Sequence, residues 1–215
     1  MGAIARNIAN NITTSGVFTS SAITNSSVTG ITVLANASDG ITLISSQTAS
    51  DSASISFTSG IDSTYKAYKF VFVNFHPRTD SIDFTFNLST DSGSNYNVTK
   101  TTTLFLTGHS EADGAGEFGY ESNWDLAQST GEQIIGSSIG NGADESASGS
   151  LILFNPSSTT YVKHFICTSN WYRTDNASFN TYVAGYGNTT SAINGIRFKA
   201  SSGNIDGTFY LYGIK

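Results

Sequence analysis

The sequence predicts an all-β protein, an antiparallel, jelly-roll-like β-sandwich of about ten strands behind an extended or partly helical N-terminal arm. Three observations predict it. Short segments alternate apolar and polar side chains, the mark of a strand with one buried face. Clusters of Gly, Asn, Asp and Ser separate them. Beyond residue 40 no segment keeps a helical period. Composition agrees: charged residues make up 12% of the chain, against about 25% in an ordinary domain. Ser, Thr, Asn and Gly take their place, while 14 Phe and 10 Tyr supply a core and exclude disorder.

Residues 1–39 read as a docking arm. Ile4, Ile8 and Ile12 are four apart, with Ala5 and Ala9 beside them, which suits one or two turns of amphipathic helix. So short a helix is marginal alone in water and needs a partner surface or symmetry copies to bury its isoleucines. Residues 13–39 carry only single apolar side chains among Ser, Thr and Asn. A disordered terminus is the alternative.

The sandwich domain spans 40–215. Strands are expected at 41–49 and 53–58, the second with Ile55 and Phe57 inward. Residues 65–75 are apolar on both faces in their second half, as in a central strand. Residues 81–89 alternate, with Ile82, Phe84, Phe86 and Leu88 inward and Asp83, Thr85 and Asn87 outward. A turn at 91–93 leads to a threonine-rich strand at 96–106. Residues 107–148 form an acidic, Gly-rich loop insertion. They hold Glu111, Asp113, Glu117, Glu121, Asp125, Glu132, Asp144 and Glu145, and no Lys or Arg occurs between Lys100 and Lys163. Short strands are expected inside the insertion at 118–120 and 134–139. Regular strands resume at 150–155, 161–171 and 179–186. Residues 195–215 read as a closing hairpin: Ile196, Phe198 and Ala200 share one face of its first arm, Phe209 and Leu211 one face of its second. A chain that stops in this strand reads as a domain completing its core.

No catalytic constellation emerges. His76, His109 and His164 have no metal-ligand spacing, and no nucleophile elbow occurs. Asp113, Glu117 and Asp125 could offer oxygens to calcium, but their spacing fits no EF-hand loop. No metal and no cofactor are expected. Lone Cys167 excludes an internal disulfide and reads as a buried thiol. The N-x-[ST] triplets, such as that at Asn97, follow from composition. A net charge of -6 argues against nucleic acid as a partner. No run approaches the roughly 20 apolar residues of a membrane span. The N-terminus has no secretory signal, so export by assembly or lysis is expected. Tyr120, Trp124, Trp171 and Tyr172 lie in or beside loops, where aromatic rings either hold a sugar or pin the loop.

The strand ends and turns also carry a resemblance. The stretches NNITTSGV (10–17), FTSGIDSTY (57–65), STDSGSNY (89–96), FNPSS (154–158) and AGYGNTTSA (184–192), with the closing GIRFKASSGNIDGTFYLYGIK, span most of the chain. Together they resemble small β-sandwich virion structural and tail-fibre-like proteins of tailed bacteriophages. The resemblance implies a non-enzymatic virion protein, assembled in the host cytoplasm, trimeric, and docked on a tail, baseplate or capsid protein through residues 1–39. Ile4, Ile8 and Ile12 would then serve docking and oligomerisation. Tyr120, Glu121, Trp124 and Asp125, in the longest connection, would face a host surface glycan or protein. Two other readings stand beside it. One is a capsid decoration protein using the same arm as a clamp. The other is a small carbohydrate-active enzyme, for which no catalytic pair is found.

Overall fold

The computed structural model describes residues 40–114 and 116–215. The arm 1–39, with Ile4, Ile8 and Ile12, lies outside the described residues. These form twelve strands and no helix: β1 (Ile41–Ser52), β2 (Ile55–Phe57), β3 (Ala67–Pro77), β4 (Ile82–Ser89), β5 (Lys100–Ser110), β6 (Glu117–Tyr120), β7 (Gln133–Ile139), β8 (Ala147–Phe154), β9 (Lys163–Arg173), β10 (Ala177–Gly187), β11 (Gly195–Ala200) and β12 (Ile205–Ile214). All pairings are antiparallel. The order β1-β12-β3-β8-β9-β7-β4-β11-β2 makes one nearly closed, barrel-like sheet, and β10, β5 and β6 extend from β9 as a wing. At the open seam the Gln47 amide of β1 donates to the Ser56 carbonyl of β2 at 2.8 Å.

Alternation places the core where the sequence puts it for most strands. Phe84, Phe86 and Leu88 of β4 are fully buried, as are Phe70 and Phe72 of β3. In β3 the inward set shifts by one at a register irregularity between Phe72 and Phe75, where Asn74 takes φ +52°. Such a bulge turns two residues three apart to the same side, so Phe75 is buried and Val73 is exposed. The second half of β3 is therefore not covered on both faces, contrary to its apolar run.

The last two strands do not form a hairpin. β11 pairs with β4 and β2, whereas β12 pairs with β1 and β3. The connection, with Gly203 at φ +72°, carries the chain across the core. Phe198 and Phe209 then meet with centroids 5.7 Å apart and planes tilted by 36°. Each arm still buries one face, so its alternation reports burial and leaves the identity of its neighbour open.

Three further expectations change. The strands number twelve among the described residues. The 107–148 region is not one loop, because it holds the end of β5, all of β6 and β7 and the first residues of β8. The strands expected inside it at 118–120 and 134–139 are present as β6 and β7. Thr85 and Asn87, expected outward, are 4% and 2% exposed. The segment after β4 folds back over that face: Val98 N–H donates to Leu88 O at 3.4 Å. The Tyr96 ring lies 4.4 Å from the Arg197 guanidinium.

Closure between β7 and β9 rests on one residue pair, Ile139 with Arg173, and on side chains. The buried Trp171 indole donates to Ser137 O at 2.8 Å, and the Ser169 hydroxyl donates to Ile135 O. Trp171 also stacks on Phe179 at 5.6 Å. It is a packing residue of the seam.

The turn after β4 is held by Asp91. Its carboxylate accepts from Ser89 Oγ at 2.7 Å, Asn95 N at 2.8 Å and Asn95 Nδ2 at 2.7 Å. The Asn95 contacts, then Ser89, hold its pKa down to about 2 from an ordinary 3.8. Because the folded value lies below the unfolded one, the contribution is complete above 3.8 and is lost as pH falls through about 2. Asp91→Ala should therefore lower the urea midpoint at neutral pH. The gap to the unsubstituted protein should narrow as pH approaches 2, and a gap independent of pH would refute the linkage.

Candidate interaction face

The wing has an outer face that nothing among the described residues covers. In β5 the inward side chains are Leu104 and Leu106, and in β10 Phe179, Thr181 and Val183, all buried. The intervening residues must point away from the core. Register then assembles them: Phe105 pairs with Tyr182 of β10 and with Tyr120 of β6, and Thr107 pairs with Phe118. Phe105 and Tyr182 stack at 4.8 Å with planes 14° apart, and Phe118 meets Phe105 at 6.0 Å. Phe118 is 78% exposed and Tyr120 56%. Leaving such a contiguous aromatic surface in water is unfavourable, which makes it the candidate contact face.

Two hollows flank the aromatic group. Toward the end of β5, Thr107, His109, Asn170, Ser178 and Asn180 line a polar one of about 260 Å³. Asn170 Nδ2 there donates to Ser178 Oγ at 3.0 Å and to Phe179 O at 2.7 Å. Toward the start of β5 lies an apolar hollow of about 500 Å³, where Thr101, Thr103, Phe154, His164, Ile166 and Tyr186 surround Ala184. Ala184 supplies the low floor between Tyr182 and Tyr186. Hydroxyls and rings line both hollows, with amides only in the polar one, and none of these lining residues is Asp, Glu, Lys or Arg.

The sequence-predicted residues divide. The Tyr120 hydroxyl donates to Asp125 Oδ2, and that bond raises the tyrosine pKa. These two belong to the face. Trp124 is half-buried against the core, its N–H donating to Glu121 O at 3.1 Å and its carbonyl accepting from Gln133 Nε2 at 3.0 Å. Glu121 ties back to β5 by donating its N–H to Leu104 O at 3.1 Å. Geometry thus favours the loop-pinning role for Trp124. Phe105, Phe118 and Tyr182 escape the sequence reading. Their only early signal is their place on the outward phase of a strand, and their grouping depends on pairing between distant segments.

No family model, curated protein or solved structure matches the chain. Among the described residues no group of three His, Cys, Asp or Glu is placed to hold a metal ion. No helix of the described residues is long and apolar enough to cross a membrane. Cys167 is fully buried, and burial pushes its thiol well up, which keeps it unreactive.

Trp124→Ala and Phe118→Ala should part company in thermal melting. The first removes a ring packed on the core and is expected to cost about 1–3 kcal/mol. The second removes an exposed ring and should stay within about 0.5 kcal/mol of the parent. Equal effects would contradict the assignment of one ring to packing and the other to the surface.

Proposed function

We propose that the protein is a non-enzymatic structural component of a tailed-bacteriophage virion, a trimeric tail fibre or appendage that touches the host surface. Residues 1–39 dock it on another virion protein, in the tail, baseplate or capsid. The nearly closed sheet is in this reading a jelly-roll-like sandwich, one layer containing β2-β11-β4-β7 and the other the remaining strands. The crossing of the chain between β11 and β12 supports that view. Assembly takes place in the host cytoplasm.

The observation that carries the host-contact reading is the aromatic group Phe105, Phe118, Tyr120 and Tyr182, set between a polar hollow of hydroxyls and amides and an apolar one edged by threonines. A sugar ring offers a C–H face that stacks on aromatic rings and hydroxyls that bond to amides and threonines. A neutral surface glycan suits the uncharged lining of the hollows, whereas a strongly ionic ligand would find no counter-charge there. Three copies would add avidity to weak single-site binding.

The double variant Phe118→Ala/Tyr182→Ala tests this. Each ring contributes about 0.5–1.5 kcal/mol of contact, so adsorption to host cells should fall on the order of tenfold. The melting temperature should change little. Unchanged adsorption overturns the glycan face. Light scattering of the full-length protein should give the mass of three chains, and antibody labelling of particles separates a tail position from head decoration.

A further inference from the structure

One buried cluster lies apart from this face and does not depend on the virion reading. Lys100, at the start of β5, and Asn87, in β4, are 0% and 2% exposed. The Lys100 amine contacts Asn87 Oδ1 at 2.5 Å and Val98 O at 2.9 Å. The same Oδ1 accepts Leu88 N–H at 2.9 Å, and Asn87 Nδ2 donates to Thr130 O at 3.0 Å. The amide is thus held in one orientation, with a backbone donor on its carbonyl oxygen and an amine beside it.

A carboxylate completes the group. β4 pairs with β7 as far as Phe86 and Gln133, one residue short of Asn87 and Glu132, and β11 sets Arg197, which Glu132 binds, opposite Asn87. Glu132 Oε1 binds Arg197 Nη2 at 2.5 Å, whereas its Oε2 is shielded from solvent without a hydrogen-bond partner. A buried carboxylate oxygen left unpaired is costly and asks for an explanation. Lys163 supplies the contrast. It is equally buried, but its amine meets two backbone carbonyls, Tyr161 O at 2.7 Å and Thr189 O at 3.1 Å. Only Lys100 faces a side-chain amide.

The geometry points to an intramolecular isopeptide bond between Lys100 and Asn87, formed by the folded chain on itself with Glu132 as proton carrier. The neutral amine attacks Cγ of Asn87, and the Leu88 N–H steadies the oxyanion that develops on Oδ1. The Nζ–Cγ bond forms and the Cγ–Nδ2 bond breaks. Glu132 takes a proton from Nζ and passes it to the departing Nδ2, which leaves as ammonia. From a lysine ammonium and an amide the products are a secondary amide and an ammonium ion, so no oxidant or cofactor is required. Burial lowers the Lys100 pKa to about 8, while the Glu132 charge opposes the shift, so the attacking neutral form is a minor fraction at neutral pH and grows as pH rises toward 8. The bond would tie β4 to β5, two strands with no ladder between them.

Intact-mass spectrometry of the purified, folded full-length protein is the test. The expected mass is one ammonia below that of the sequence. Tandem spectra of a digest should show a branched peptide joining the segments that contain residues 87 and 100. Asn87→Ala and Lys100→Met should have their full sequence masses, and so should Glu132→Gln, a near-isosteric change whose folding circular dichroism checks. Folded unsubstituted protein at full mass overturns the proposal. So does a mass deficit that maps to a succinimide, for instance at Asn141-Gly142, instead of to the branched peptide. A Glu132→Gln protein that still cross-links removes the carboxylate from the step.

Discussion

Phe198 and Phe209, 5.7 Å apart across the core, are the contact that packs the two sides of the sheet against each other. They belong to strands consecutive in sequence, joined by a connection short enough for a hairpin. Pairing side by side would place both rings on one face of one ladder. Crossing instead lets each strand lie between two partners and sends both rings into the same interior, with Phe84 6.1 Å from Phe198 and 6.4 Å from Phe209. Burying a phenylalanine is worth about 1.5–3 kcal/mol, and an aromatic pair adds about 0.5–1.5 kcal/mol. The crossing segment is not left loose: Ser201 N–H donates to Asp83 O at 2.8 Å and Asn204 O accepts Arg78 N–H at 2.9 Å. Backbone groups that a hairpin turn would satisfy internally are satisfied by the strands on either side.

What could be read from the sequence follows from the same physics. Burial is local information, because a strand's side chains alternate whatever its neighbour is. The inward sets of β2, β4, β11 and β12 were therefore legible residue by residue. Pairing is non-local, and so the β11–β12 crossing was not. The bulge at Asn74 was hidden for another reason: it changes the phase of β3 within an unbroken apolar run, where no polar residue marks the shift. For Trp124 and Trp171 alike the sequence left holding a sugar and pinning a loop both open, and of the two only Trp124 was placed toward a host surface. Only the acceptor at Ser137 and the core beside Trp124 turn them into packing residues. On the candidate face, Tyr120 and Asp125 were legible because both lie in the acidic segment. Phe105 and Tyr182 are 77 positions apart and meet through ladder register alone.

The polar interior around Asn87 departs from the rule that sets the rest of the core. A buried ion pair seldom improves on an apolar replacement of the same volume, and an unpaired buried oxygen makes matters worse. Lys100, Asn87, Glu132 and Arg197 nonetheless sit together beneath the 91–100 segment, and Arg197 Nε is also left without a partner. Lys163 shows that this chain can bury an amine with less apparatus, using two carbonyls. The side-chain amide at Lys100 is therefore not needed merely to solvate a charge. A covalent amide would remove the charge altogether and leave Asn87 and Lys100 with the polarity of a backbone peptide unit.

Mounting a contact surface on strands rather than loops has an energetic consequence for weak ligands. A side chain ordered only on binding costs about 0.5–1.5 kcal/mol of the affinity it provides, which for a sugar is most of what one ring contributes. Phe105 and Tyr182 are already stacked, and Tyr120 is already held by Asp125. Beneath them, Leu104, Leu106 and Val183 lock the backbone from the opposite face. The rings are consequently fixed by the same alternation that builds the core, and ordering them again on contact costs little. β9 joins the two functions: its inward Trp171 closes the sheet on β7, and its outward Asn170, Ile166 and His164 reach both hollows. A change that loosened the seam would therefore disturb the face as well, because one strand carries both.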